Sequence, residues 1–138
     1  MLRVVLDTNT VVSGAIGGVS ARIIYLLTKE KAFQVIVSYD IMQEYEEVLC
    51  RPHFGFQTKL VTALLDFFKV NALWVKPRGI TRVIAADPDD DKFLAAAIEG
   101  CANYIVSGDK HLLSLGSFEG IHILNSSQFL QVIRTTES

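Results

Sequence analysis

Short continuous apolar runs alternate along the chain with stretches in which apolar residues recur every three or four positions. The runs "LRVVL" (2–6), "FQVIVS" (33–38), "NYIVSG" (103–108) and "IHILN" (121–125) predict buried strands, and "ALWVKP" (72–77) a short strand or extended piece. Helical spacing covers "SARIIYLLTKE" (20–30), opened by a Ser that can cap it, and "DIMQEYEEVLC" (40–50), stopped by Pro52. It covers "KLVTALLDFFKV" (59–70), "DPDDDKFLAAAIEGCA" (87–102) with Pro88 in its first turn, and a closing "SSQFLQVIRT" (126–135). "DTNT" after the first strand reads as a loop, and "KPRGITRV" as the one Gly/Pro connection with freedom to move. Strands separated by helices predict a parallel α/β sheet with helices on both faces. In such sheets ligands collect beyond the carboxyl ends of the strands.

Composition narrows this picture without changing it. The 138 residues suit one domain spanning 1–138. Half of them are hydrophobic and the mean hydropathy is +0.33, as expected for a sheet buried on both faces. No apolar run approaches the roughly 20 residues of a membrane span, and "MLRVVLD" lacks the features of a secretory leader, so the expectation is a cytoplasmic protein that does not engage a membrane. Cys50 and Cys101, both in helical patterns, read as reduced core thiols, and no metal–thiolate spacing exists. A net charge of −2 gives no global basic field for nucleic acid. An acidic site that holds cations can still receive phosphates.

The acids are therefore the candidates for chemistry. Asp7 follows the first strand and Asp109 the strand 103–108, both on the side where a parallel sheet places its site, although turn formation alone also favours Asp there. In "DPDDDKF" (87–93) four carboxylates occupy five positions. Asp87 is a natural N-cap, and acids in a first turn favour the helix dipole. Advancing 100° per residue puts Phe93, Leu94, Ala97, Ile98 and Cys101 on one apolar stripe. Asp90 projects into the middle of that stripe and Asp91 lies at its edge, while Asp89 and Ala96 point away. A carboxylate in phase with buried residues needs a compensating partner. In helix 40–50 the stripe is Ile41, Met42, Tyr45, Val48 and Leu49; Glu44 and Glu46 flank it and Glu47 faces solvent. Glu44 lies nearest the carboxyl end of the preceding strand.

Asp7, Glu44, Asp90 and Asp109, with Asp91 as a further candidate ligand, form a set of hard oxygen donors suited to one or two Mg²⁺ or Mn²⁺ ions. Two such ions about 4 Å apart can activate water and stabilise the leaving oxygen of a phosphodiester displacement.

The ordered segments "VVLDTNTVVSG", "VSYDIMQEYEEVLCRP" and "DPDDDKFLAAAIEGCANYIVSGDKHLL" resemble the successive motifs of PIN-domain ribonucleases, and more narrowly the toxins of toxin–antitoxin systems related to VapC. The resemblance implies a Rossmann-like three-layer α/β/α sandwich with a central, mainly parallel sheet, and a metal-dependent endoribonuclease site. It matches Asp7 to the first acid, Glu44 to the Glu of the "EY" helix and Asp109 to the acid ending "SGD". The third acid falls on Asp90 or Asp91, with helix phase favouring Asp90. Thr8, Asn9 and Ser107 match supporting polar positions. The implied partners are RNA, an antitoxin protein and a second copy of the chain, with helices 20–30 and 59–70 offering apolar surface.

Positive charge for RNA is thin, and Arg22, Lys76, Arg78, Arg82, Lys110 and His111 are the candidate phosphate contacts. A haloacid-dehalogenase-type phosphatase would carry a second Asp where Asn9 stands, and a response-regulator receiver would need an acid pair near the first strand. The remaining alternative is a PIN-fold module that binds RNA or an antitoxin without cleaving.

Overall fold

Val4, Val5 and Leu6 are wholly buried in the first strand, β1 (Arg3–Leu6), because β1 has parallel neighbours on both edges and helices above and below. In the computed structural model, which describes residues 1–78 and 90–137, the chain continues as α1 (Thr8–Ile16), α2 (Val19–Thr28), β2 (Gln34–Val37) and α3 (Tyr39–Leu49). A 3-10 turn (Pro52–Phe54), α4 (Thr58–Asn71) and β3 (Leu73–Trp74) follow. The second half contributes α5 (Asp91–Glu99), β4 (Tyr104–Val106), α6 (Lys110–Leu115), β5 (Ser117–Phe118), β6 (Ile121–Leu124) and α7 (Ser126–Glu137). The sheet order is β3-β2-β1-β4-β6-β5, parallel throughout except for the antiparallel pair β5–β6. This is the three-layer α/β/α arrangement expected from the strand–helix alternation.

The topology decides where a site can form. From β1 the chain moves outward through β2 to β3, then returns to lay β4 on the other edge of β1. The strand order therefore reverses between β1 and β4, which opens a crevice at their carboxyl ends. Register brings Leu6 beside Val106, so Asp7 and Ser107 emerge from the sheet side by side.

Helix α3 buries Ile41, Met42, Tyr45, Val48 and Leu49, the stripe its spacing predicts. Ser38 caps it, accepting from the Ile41 N–H. The α5 stripe needs correction. Ala96 is wholly buried rather than turned outward, because α5 is wedged between the strands β1, β2 and β4 and the helix α3. Small side chains permit that approach: a Cβ at Gly100 would stand 2.8 Å from Ile36 Cδ1. The helix ends at Glu99, so Cys101 leaves the stripe and is exposed, with φ +53° in the turn to β4. Cys50 is likewise exposed at the end of α3. Both thiols are free, but neither lies in the core.

Helix α1 begins within "DTNT", where the sequence predicts a loop; "TNTVVSGAI" is rich in β-branched residues and contains Gly14, so its local helix propensity is poor. Tertiary packing overrides that propensity. Val11 and Val12 are buried, and α1 lies so close to α2 that a Cβ at Gly14 would collide with Ile24 Cγ1. The predicted helix start at Asp87 and Pro88, the solvent-facing Asp89, and Arg82 lie outside the described residues.

Candidate active site

The crevice at the switch point is a cavity of about 220 Å³ lined by Asp7, Thr8, Asn9, Glu44, Glu47, Val48, Arg51, Asp90, Phe93 and Asp109. Four elements converge on it: the β1–α1 junction, one face of α3, the start of α5 and the β4–α6 junction.

Asp7 is at the N-cap position of α1, yet its side chain makes no cap hydrogen bond, so helix initiation does not consume its carboxylate. Its backbone N–H donates to Val106 O at 2.9 Å, fixing the residue against β4. The Ser107 hydroxyl, fully buried, donates to Asp7 Oδ2 at 2.7 Å. Asp7 is itself only 5% exposed, and burial raises its pKa above the ordinary carboxylate value of 3.8. Hydrogen bonds from Ser107 and the Thr8 backbone oppose the rise, whereas the charges of Asp109 and Glu44 add to it.

Ser107 also joins Asp7 to Asp109: its Oγ accepts from the Asp109 N–H at 2.9 Å. Asp109 caps α6, with Oδ1 accepting from the His111 N–H at 2.7 Å. The turn-forming and site-lining readings of Asp109 therefore both hold.

Glu44 is bound differently. Its Oε1 accepts from Lys92 Nζ at 2.6 Å and its Oε2 from the Thr8 hydroxyl. Beneath it the Tyr45 hydroxyl donates to Leu6 O. Complete burial, with the charges of Asp7 and Glu44 nearby, holds the Tyr45 phenol protonated well above its ordinary range.

Asp90, almost fully buried, lines the cavity. Asp91 begins α5 and is not among the lining residues; its Oδ1 is buried without a hydrogen-bond partner. Asn9 is exposed at the rim.

The candidate phosphate contacts are scattered. Arg22 is exposed with its guanidinium 5.4 Å from the Tyr25 ring, and Arg78 pairs with Glu99 at 3.1 Å. Lys76 is exposed, as are Lys110 and His111 in the first turn of α6. Among the described residues, Lys92 and Arg51 are the cations that touch the acidic region, neither singled out from the sequence. Arg51 was within reach of pattern reading, because Glu44, Glu47, Val48 and Arg51 share one helical face. Glu47 is solvent-exposed as expected, but it also lines the cavity and pairs with Arg51 at 3.1 Å. The aim of Lys92 at Glu44 depends on how α5 crosses α3, which no local pattern encodes.

The donor chemistry of the lining suits a hard divalent cation: carboxylates and hydroxyls, with one carboxyl pKa raised by burial. Among the described residues no group of three His, Cys, Asp or Glu side chains is gathered closely enough to hold an ion as it stands.

A mainly parallel α/β/α sandwich with acids at its switch point defines the class. Residues 3–111 match the PIN domain family, and the chain belongs to that family. Among solved structures it is similar to a chain in the crystal structure of VapBC2 from Rickettsia felis bound to a DNA fragment from their promoter. Identity is 13%, the TM-score is 0.59, and the match covers 90% of this chain and 98% of that one, so the likeness is one of fold. No curated protein sequence matches the chain.

Proposed function

We propose that the chain, as a single nuclease domain over 1–138, is a divalent-metal-dependent endoribonuclease and the toxin of a toxin–antitoxin pair. The observation that carries this reading is the convergence of Asp7, Glu44, Asp90 and Asp109 on one cavity at the carboxyl ends of β1 and β4. These four acids are the proposed ligands of one or two Mg²⁺ or Mn²⁺ ions, with Asp91 as the alternative third acid. Bound there, such an ion supplies Lewis-acid polarisation of the phosphoryl group and a lowered pKa for water.

The residues of the chain do the remainder. Ser107 holds the Asp7 carboxylate in place, and Thr8 does the same for Glu44. Arg51, Lys92 and Lys110 attract the phosphate backbone, while Arg22 and Arg78 are outlying contacts; Arg82, also a proposed contact, lies outside the described residues. Water attacks phosphorus, a new P–O bond forms as one bridging P–O bond breaks, and a cavity carboxylate takes the proton that water loses. The leaving oxygen takes a proton from solvent.

An antitoxin-type protein partner and a homodimer belong to the same reading. The fold shared with a chain of VapBC2 supports the first. Exposed Tyr25 on α2 and Leu60 and Val70 on α4 offer apolar surface for either. Among the described residues no single helix is long and apolar enough to cross a membrane, in keeping with the proposed cytoplasmic location.

The test is cleavage of single-stranded RNA with Mg²⁺ or Mn²⁺ by the wild type and by Asp7→Asn. Cleavage by the wild type, abolished by chelation and reduced about 10³-fold in the variant, is expected. Equal activity in both proteins would contradict the assigned site. Inactivity of both towards several RNAs would favour the non-cleaving binding module.

A further inference from the structure

Of the acids around the cavity, Glu44 alone among the described residues has a lysine ammonium on its carboxylate. Lys92 Nζ stands 2.6 Å from Oε1, and both side chains are 25% exposed. Asp7, by contrast, is held by a hydroxyl and a backbone N–H, and among the described residues no cation pairs with it. The pair joins two helices, since Glu44 lies on the cavity face of α3 and Lys92 in the first turn of α5, directly after Asp90 and Asp91. The Thr8 hydroxyl occupies the other oxygen, so both oxygens of Glu44 are engaged.

A divalent ion that takes Oε1 as a ligand must stand about 2.1 Å from it. The ammonium already sits against that oxygen, and two cations in contact with one carboxylate oxygen repel strongly in a partly buried setting. One therefore replaces the other. Resting on the metal-dependent reading above, we propose that Lys92 is a built-in counter-cation that occupies Glu44 in the metal-free protein and is exchanged for the divalent ion as the site loads. The long lysine stem lets the ammonium swing away while the α5 backbone stays fixed. Once displaced, Lys92 lies at the cavity rim, where an RNA phosphate would meet it. Loading the ion and preparing a phosphate contact are then one event, and Lys92 is a positioning residue rather than a ligand.

The test is calorimetric titration of Mn²⁺ alone into the full-length wild type, Lys92→Met, Arg51→Met and Asp7→Asn. Lys92→Met keeps much of the apolar stem and removes the competitor, so its Mn²⁺ affinity is expected to rise about tenfold. Arg51→Met also removes a cavity cation, but one that pairs with Glu47, and is expected to change affinity less than about threefold. Unchanged or weaker binding by Lys92→Met, with wild-type binding intact, would overturn the exchange. Equal gains in both variants would reduce it to general charge repulsion and overturn it as well. If neither the wild type nor Lys92→Met binds Mn²⁺ at millimolar concentration, the metal reading itself falls. Melting curves in chelator and in Mn²⁺ supply a readout independent of the titration. Lys92→Met is expected to melt below the wild type without metal and to gain more from Mn²⁺, and an equal gain would speak against exchange.

Discussion

The two halves of the cavity are built on different principles. On the strand side, Asp7 and Asp109 are positioned by sheet register, by the backbone bond from Asp7 to Val106, and by one buried hydroxyl that contacts both residues. On the helix side, Glu44 is held by an ion pair and a hydroxyl that reach it from other elements. The strand half is fixed by sheet register and leaves Asp7 with a raised pKa and, among the described residues, no ion-pair partner. The helix half carries its own cation and can exchange it. A site that binds a cation and then a phosphate, as proposed above, would use both: a charge-hungry wall fixed by the sheet, and a wall whose charge balance can be reset.

Breaking the rigid wall should have the largest effect. Asp7→Asn is expected to lower cleavage about 10³-fold and yet raise the melting temperature of the metal-free protein, because the buried charge is removed and no side-chain cap hydrogen bond is lost. The sign follows from linkage. Burial raises the folded-state pKa of Asp7 above 3.8, so the folded protein holds that proton more tightly than the unfolded chain. The stability this contributes is complete below the unfolded value and is lost as pH rises through the folded one. Metal-free wild type should therefore lose stability relative to Asp7→Asn across that window, as measured by melting in chelator from about pH 4 to pH 7.

Ser107→Ala comes next, since it removes the donor to Asp7 and the acceptor for the Asp109 N–H. Denaturant unfolding should show a loss of about 1–3 kcal/mol, and cleavage should fall about 10–100-fold. Tyr45→Phe orphans the buried carbonyl of Leu6 and should cost about 1 kcal/mol, with a smaller effect on rate. The smallest change is expected from Arg78→Ala, because neither it nor its partner Glu99 lines the cavity and its own side chain is almost fully exposed. Its unfolding free energy should stay within about 0.5 kcal/mol of wild type. A large loss there, with little from Ser107→Ala, would reverse the proposed contrast.

The acids of both halves were legible in the sequence, and the cation of the helix half was not. An Asp directly after an apolar strand signals a strand-end acid, and the α3 stripe with Glu44 at its flank follows from helical spacing alone. What escaped depended on long-range packing. Helix α1 has poor local propensity and forms because Val11, Val12 and Gly14 fit against their neighbours. Ala96 is buried because α5 is covered on two sides, a fact that one helix's periodicity cannot express. Lys92 was visible only as the residue after three acids, whereas its role depends on where α5 crosses α3.

A crystal of the full chain soaked in Mn²⁺, with anomalous density as the readout, tests the central claim most directly. The account predicts density in the cavity between Asp7, Glu44, Asp90 and Asp109, with Lys92 withdrawn from Glu44. Its position would also decide between Asp90 and Asp91. Anomalous density only elsewhere on the protein, with the cavity empty and the Lys92–Glu44 pair intact, would contradict it.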